Sequence, residues 1–492
     1  MINHNRNITS NISRALLATC ITVIASACSF QQYLAKPIDQ IASVERFQQK
    51  DPTSADFRQY LLSNGYPEKN LPLQQWNADD LVFCALFFHP SLDVARAQWR
   101  LAKQAEARAA ERPIPSLSGQ FANSNESNSD NIPYAFGLSI DIPIETANKR
   151  DIRIENARHL SLAAKLEIAQ TAWQLRKDVV QSLNEYQFNQ QQISLLTKEE
   201  ARREEIFAIY QKRVDLGAAS NVELSTAKLL LQTVTSELNA KKYSRPVLKS
   251  KLASSIGLPL SKIEAMYFAS DVDNQKQADY APIGNLQTTA LLNRLDIRIA
   301  LERYAVSEAK LKLEIAKQYP NIIISPGYAY EFGDSIWSLG LSGLLTILNK
   351  NKLAIAEATQ LREVEATQFE ALQSRTIAQA DTANVELILA KQALDNQQKL
   401  REQQQLNTQR SERKFKAGEI DRLGLAFSQL ENINADKSVA LSQFQLKNAQ
   451  NQLENALQIP LSAVNSTSEN QQKNIIKLED LSFKEPNNKT KE

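Results

Sequence analysis

The chain has 492 residues, 43% hydrophobic and 23% charged, and its 57 basic and 55 acidic side chains leave a formal net charge of only +2. Charges of both signs are interspersed, which gives no reason to expect nucleic acid as a partner, and three cysteines exclude a disulfide framework. Twelve glycines and 7% aromatics, beside abundant Ala, Leu, Gln, Glu and Lys, describe long helices rather than a sheet-rich enzyme.

At the start of the chain, Asn5-Arg6 and Arg14 precede an apolar run from Ala15 to Ala27. This is the pattern of an export signal, since a helix crossing a bilayer needs about 20 apolar residues. Its end, Ala25-Ser26-Ala27-Cys28, resembles the bacterial lipoprotein box, with Ala25 where leucine is usual. That resemblance implies acylation of Cys28 as the first residue of the mature chain, and Ser29 in place of an aspartate implies an outer-membrane destination. The alternative is a simple cleaved signal with an incidental cysteine, while Cys20 is disfavoured by the preceding Thr19. Cys84 is then the remaining thiol and is expected in a small, buried hydrophobic role.

Residues 28–79 read as a tether and packing segment in which Pro37, Pro52, Pro67 and Pro72 break any long helix. From Asp80 the pattern is helical through Leu81, Val82, Leu86, Leu92, Val94, Ala95 and Trp99, as far as Glu111, and Pro113 and Pro115 stop it. The period then changes to strict alternation. In Tyr134-Ala135-Phe136-Gly137-Leu138-Ser139-Ile140-Asp141-Ile142 the large apolar residues share one face and Ala, Gly, Ser and Asp the other. Trp337, Leu339 and Leu341 alternate with Ser338, Gly340 and Ser342 in the same way. Extended stretches precede both, Leu117 to Asn123 and Ile322 to Phe332, the latter with Ile322, Ile324, Tyr328, Tyr330 and Phe332 in phase.

Strands of about ten residues with one apolar and one small polar face suit a membrane barrel, in which Tyr134, Phe136, Leu138, Ile140, Tyr328, Tyr330, Trp337, Leu339 and Leu341 face lipid. A half-buried soluble hairpin uses the same alternation. Four strands cannot close a membrane barrel, whose smallest examples have about eight, so the barrel reading requires an oligomer. A dimer meets that minimum and a trimer supplies twelve strands; periodicity does not choose between them. The linkers Ser124 to Ile132 and Gly333 to Ser335 are expected outside the cell.

Neither glycine nor proline occurs from Glu145 to Leu216 or from Asn349 to Ala417, so each run can form one helix of roughly 70 residues, on the order of 100 Å long. Within the first, Ile154, Ala157, Ser161, Ala164, Ile168, Thr171 and Leu175 make a heptad seam of small residues. Asn221 to Ile256 and Asp80 to Glu111 would be roughly 54 and 48 Å, a pair of half-length partners for the long helix. At the far end, Gly217 is placed to close the long helix, and Ser220 and Glu223 are spaced as a capping box for the next one. In the second copy Gly418 closes the helix and Asp421 can cap, but Gly424 stands where the acid of the box would be. These residues suffice for a turn; the apolar and basic residues beside them equally suit a docking tip, because exposed apolar side chains there are costly.

Much of the chain is said twice. Leu92-Asp93-Val94 and Pro115 are answered by Leu295-Asp296-Ile297 and Pro320, Gly217 by Gly418, and Pro259 by Pro460. The expected organisation is a signal at 1–27, a tether at 28–79, repeats at 80–260 and 287–461 joined by a linker at 261–286, and a polar disordered tail at 462–492. Duplicated helix, strand, strand, long helix, turn and helix units behind a lipoprotein box resemble the TolC family of outer-membrane efflux factors. Phe88-His89-Pro90-Ser91-Leu92-Asp93-Val94-Ala95-Arg96-Ala97 resembles the opening of the family repeat. Ile142-Pro143-Ile144-Glu145-Thr146-Ala147-Asn148-Lys149-Arg150 is similar to the strand-to-helix junction of heavy-metal efflux-like members, with Asn148 where a glycine often stands.

The resemblance implies a mainly α fold with a small β part. Three chains would form a 12-stranded outer-membrane β-barrel continued by an α-helical barrel through the periplasm. It implies partners, a periplasmic adaptor and an inner-membrane pump, and outer-membrane lipids around the barrel. By that analogy Arg213, Val214, Leu216, Gly217, Ala218 and Ser220, with Lys414, Phe415, Ala417 and Gly418, contact the adaptor. Asp215, Glu419 and Asp421 are candidates to narrow the aperture, although acids beside helix ends also serve as caps. Export of polypeptides, or a periplasmic coiled-coil spacer without a channel, are the competing readings. No phosphate-cradling loop, nucleophile elbow or zinc-helix signature occurs, and His4, His89 and His159 lack metal-ligand spacing, so no enzyme, cofactor or metal site is expected.

Overall fold

A computed structural model describes residues 31–123, 134–269, 286–331, 333–343 and 349–461. The signal with Cys20 and Cys28, the 124–132 linker, Phe332 and the tail lie outside the described residues. Residues up to Gln49 form a unit of their own. Its helix α1 (Gln40–Gln48) starts where the Asp39 carboxylate accepts hydrogen bonds from the amides of Ile41 and Ala42.

The second unit, from Lys50 onward, holds both repeats. Helix α2 (Ala55–Ser63) leads to α3 (Ala78–Phe88) and α4 (Pro90–Ala109), then β1 (Ser116–Asn123), β2 (Tyr134–Ile144), the long helix α5 (Lys149–Asp215) and α6 (Asn221–Ile256). A short helix α7 (Leu260–Glu264) ends this copy. The second copy runs α8 (Leu286–Asn293), α9 (Leu295–Ala316), β3 (Ile322–Glu331), β4 (Asp334–Gly343), long α10 (Lys352–Lys416) and α11 (Arg422–Leu457). At 1.5 Å per residue, α5 with its 67 residues spans on the order of 100 Å.

Three boundaries differ from the sequence reading. The helix expected from Asp80 to Glu111 is two helices, because Pro90 has no amide to donate to the preceding turn and forces His89 into an extended conformation. His89 then caps α4, its Nδ1 accepting from the Ser91 amide at 3.2 Å. The second copy breaks at the same place, between Asn293 and Leu295, without a proline; there the Gln458 side-chain oxygen accepts from the Leu295 amide at 2.6 Å. The long helices begin at Lys149 and Lys352 rather than Glu145 and Asn349. In each case two consecutive residues, Ala147-Asn148 and Lys350-Asn351, adopt left-handed φ values of 50 to 55° and end the strand direction abruptly. Finally, Asp334 and Ser335 are not linker but strand, paired with Glu331 and Tyr330.

The principal core surrounds the middle of α5, where Phe57, Leu61, Leu81, Leu86, Leu92, Ile168, Leu183, Leu252, Ile256 and Leu258 are all buried. Cys84 is fully buried among them, and burial pushes its thiol well up from the ordinary value. The expected seam is present, with Ala157, Ser161, Ile168 and Leu175 buried. Ala163, Leu166, Ala172 and Trp173 are buried too, because α5 packs against α4, α6, α9 and α11 rather than against one partner. The corresponding core of the second copy is smaller and rich in alanine, with Ala380, Ala383, Leu387, Val439, Ala449 and Leu453.

Candidate functional site

Two regions collect the residues singled out by sequence: the sheet at one end of the long helices and the turns at the other. The four strands form one antiparallel sheet in the order β1-β2-β3-β4. Its register, with Phe136 opposite Phe121 and Tyr330, Leu138 opposite Tyr328, and Tyr328 opposite Trp337, gathers the large apolar side chains on a single face. On β2 that face is the more exposed one, and on β4 both faces are exposed. Leu138 is 54% exposed, Leu339 75% and Trp337 82%, whereas Ala135, Gly137, Ser139 and Asp141 on the reverse of β2 are partly covered. A water-soluble hairpin places these residues the other way round.

Along the apolar face the rings cluster toward the hairpin loops, with Phe136 and Tyr330 stacked at 5.7 Å and Tyr328 against Trp337 at 4.9 Å. Toward the helices the same face becomes aliphatic, through Ile140, Ile142, Ile144, Ile324 and Leu341. On the reverse face Asp141 accepts hydrogen bonds from Ser325 at 2.5 Å and Ser118 at 3.4 Å. Both outer edges of the sheet, β1 and β4, lack a strand partner among the described residues.

The sheet is fixed to the helices by ties from the first copy to the second and by one within the second. Thr146 Oγ1 donates to Pro320 O at 2.6 Å, and Lys149 Nζ reaches Tyr319 O at 2.5 Å and Asn321 Oδ1 at 2.6 Å. Asn351 answers by donating to Glu314 O at 2.8 Å. Asn148 is left-handed, a conformation that asparagine tolerates better than most residues and glycine tolerates freely. Its side chain therefore meets the backbone requirement that a glycine would otherwise fill.

At the opposite end both long helices close with the same hydrogen-bond pattern. The Ala218 amide donates to Arg213 O at 2.7 Å and Gly217 to Val214 O at 2.9 Å; in the second copy Glu419 donates to Lys414 O at 2.9 Å and Gly418 to Phe415 O at 3.0 Å. Gly217 and Gly418, at φ of 69° and 78°, supply the left-handed residue that this closure requires. Ser220 and Glu223 complete a reciprocal capping box on α6, while Asp421 alone caps α11 by accepting from Gly424 N at 2.8 Å.

The tip joins the two hairpins through charge. Arg213 of the first pairs with Asp421 of the second, and Arg422 of the second pairs with Glu205 of the first. Arg422 also lies over the Phe415 ring, 5.7 Å from its centre. Of the residues expected at the tip, Leu216 is 82% exposed, and Gly217, Ala218, Ser220, Lys414, Ala417 and Gly418 are exposed as well. Arg213, Val214 and Phe415 are partly covered. The three acids differ. Asp421 is committed to a cap and an ion pair, and the Gly424 amide, with Arg213 beside it, holds its carboxyl below the usual range. Asp215 accepts from Gln211 at 3.1 Å, and Glu419 is exposed.

Sequence reasoning missed Val222, 74% exposed on the first turn of α6, and the Arg422–Glu205 pair. Val222 carried a signal, an apolar residue where the box needs only polar ones. The ion pair joins positions more than two hundred residues apart and left none. Among the described residues no group of three or more His, Cys, Asp or Glu side chains could hold a metal ion.

Residues 85–258, which contain most of the first repeat with β1, β2 and the first tip, match the outer membrane efflux protein family. Solved structures extend the likeness to the second repeat. The Campylobacter jejuni CmeC outer membrane channel superposes with a TM-score of 0.64 at 15% identity, over 92% of this chain and 99% of that one. The open state of the Neisseria gonorrhoeae MtrE outer membrane channel gives 0.61 at 17%, over 78% and 89%. The Vibrio cholerae outer membrane protein VceC gives 0.62 at 15%, over 77% and 95%. Identities this low speak for the fold alone and assign no heavy-metal or other subgroup. No curated protein matches the chain by sequence.

Proposed function

We propose that this protein is an outer-membrane efflux channel, the exit duct of a tripartite efflux system, carrying small molecules or metal ions from a periplasmic adaptor and inner-membrane pump to the exterior. The observation that carries the reading is the sheet: its apolar face is left exposed, and among the described residues its two edges are unpaired. Lipid satisfies the first and neighbouring copies the second, because a membrane strand must have every backbone group bonded. Three copies give twelve strands, with Tyr134, Phe136, Leu138, Ile140, Tyr328, Tyr330, Trp337, Leu339 and Leu341 toward lipid. Acylation of Cys28 anchors the chain beside its own barrel. Leu216, Val222 and Lys414 at the tip meet the adaptor, and Glu419 and Asp215 are better placed to bias the aperture than Asp421, whose charge is already used.

Fractionation tests the duct. A heat-modifiable oligomer that stays in the outer membrane after urea or carbonate washing is expected, whereas release once the lipid anchor is removed would make the protein a periplasmic spacer. A deletion strain tested against metal ions, dyes and antibiotics reads the cargo. Unchanged resistance across the panel would redirect the proposal to polypeptide export.

A further inference from the structure

We infer that the helix end of the sheet carries a basic belt that binds anionic phospholipid headgroups of the periplasmic leaflet; this rests on the duct reading above, in which that end lies at the inner face of the outer membrane. Charge is arranged in the same way in both copies. No Lys, Arg or His occurs from residue 113 to 148 or from 318 to 349, and each of these stretches is bounded by a cation on both sides, Arg112 and Lys149 in the first copy and Lys317 and Lys350 in the second. Each stretch holds a pair of antiparallel strands, so its entry and its exit lie at the same end of the sheet, where Ile144 is opposite Ile322 and Ile322 opposite Gly343. Around that end the windows 108–115, 145–153, 314–319 and 349–353 hold eight basic side chains against four acidic ones, while the whole chain holds 57 against 55.

Much of this charge has no use within the chain. Lys149 is committed to Tyr319 O and Asn321 Oδ1, and Lys317 pairs with Glu314. Arg112, Lys350 and Lys352, by contrast, are exposed and have no ion-pair partner among the described residues. Lys350 and Lys352 also flank the start of α10, whose first turn has no acidic residue, so they stand against the helix dipole and gain from an anion outside the chain. At the same level Ile114, Tyr319 and Leu353 are exposed, so that apolar surface continues past the last strand residues. An acidic soluble partner would satisfy the cations and leave these three side chains unexplained. The boundary of an anionic leaflet meets both, its phosphates against the cations and its acyl region against the apolar side chains. Three copies repeat the belt around the duct.

The experiment reconstitutes the full-length oligomer in phosphatidylcholine vesicles and compares the motionally restricted fraction of spin-labelled phosphatidylglycerol with that of spin-labelled phosphatidylcholine. At about 0.1 M salt, where the screening length is about 10 Å, a preference for phosphatidylglycerol of at least about twofold is expected; near 1 M, where it is about 3 Å, the preference should fall toward unity. The triple variant R112Q/K350Q/K352Q should remove at least about half of the low-salt preference and keep the heat-modifiable oligomer. Equal contact with the two lipids, or a preference that salt or the triple variant leaves unchanged, overturns the inference and leaves the duct intact. An oligomer with no motionally restricted lipid overturns the duct reading and this inference with it.

Discussion

The core around Leu86 and the sheet around Leu138 use the same kinds of side chain in opposite ways. In the core, Leu81, Leu86, Leu92 and Ile168 turn inward until none of them is more than 1% exposed, and the polar Asp80 among them is matched by Tyr66 Oη at 2.6 Å and the Asn77 amide at 3.0 Å. In the sheet, leucines and aromatic rings turn outward, and the carboxylate of Asp141 turns to the covered side. The core is completed by the chain itself, whereas in the proposed duct the sheet is completed by lipid on one face and further strands at its edges.

Substitutions that treat the two regions alike should break this contrast most visibly. Leu339→Arg places a charge on the outward face, at a cost of about 2–4 kcal/mol per chain near the bilayer midplane, and should abolish the heat-modifiable oligomer. Ser338→Arg, one residue away on the reverse face, should leave it intact. If gel mobility of unheated samples shows both tolerated equally, the sheet does not meet lipid. In the core, Leu86→Ala should cost about 2–5 kcal/mol, read as a lower urea midpoint for the periplasmic helices with membrane insertion retained.

Gly257 sharpens the same contrast. It closes α6 at φ 80°, and a Cβ there would lie 2.8 Å from His89 Cα, so the backbone must shift. Gly257→Ala should therefore destabilise the fold by about 1–3 kcal/mol, read as a lower thermal midpoint, while Gly217→Ala, equally left-handed but with open space around it, should lose less. At the tips, Ser220→Ala and Asp421→Ala each remove a helix cap worth about 1 kcal/mol, and hydrogen exchange of the first-turn amides should report it. Asp421→Ala should in addition free Arg213 and loosen the link between the hairpins.

Acid gives the smallest effect. The folded pKa of Asp421 is depressed, by the Gly424 amide first and Arg213 second, so its contribution is present above its unfolded value of about 4 and is lost as pH falls through the lower folded value. Tip-to-tip distances between spin labels on the two hairpins should be constant from about pH 7 to 5 and widen only below about 4. Widening near neutrality would mean that the Arg213–Asp421 tie is not what holds them.

Much of this was legible in the sequence where the signal was local. Alternation in Tyr134–Ile144 and Ile322–Glu331, the gap of glycine and proline over the long helices, and the Gly217 and Gly418 closures all rest on contacts within a few residues. The break at His89 was legible too, since Pro90 forbids a continuous helix, but the matching break before Leu295 depends on Gln458, distant in the chain. The burial of α5 on several sides, the Lys149 clamp on Tyr319 and Asn321, and the Arg213–Asp421 pair all depend on how the two copies meet. Periodicity within one copy carries no trace of that.

The most direct test is the number of chains in the oligomer extracted in mild detergent, read by native mass spectrometry. Closure of the four-stranded sheet into the twelve-stranded duct predicts three chains per particle. A membrane-inserted particle of one or two chains would contradict it.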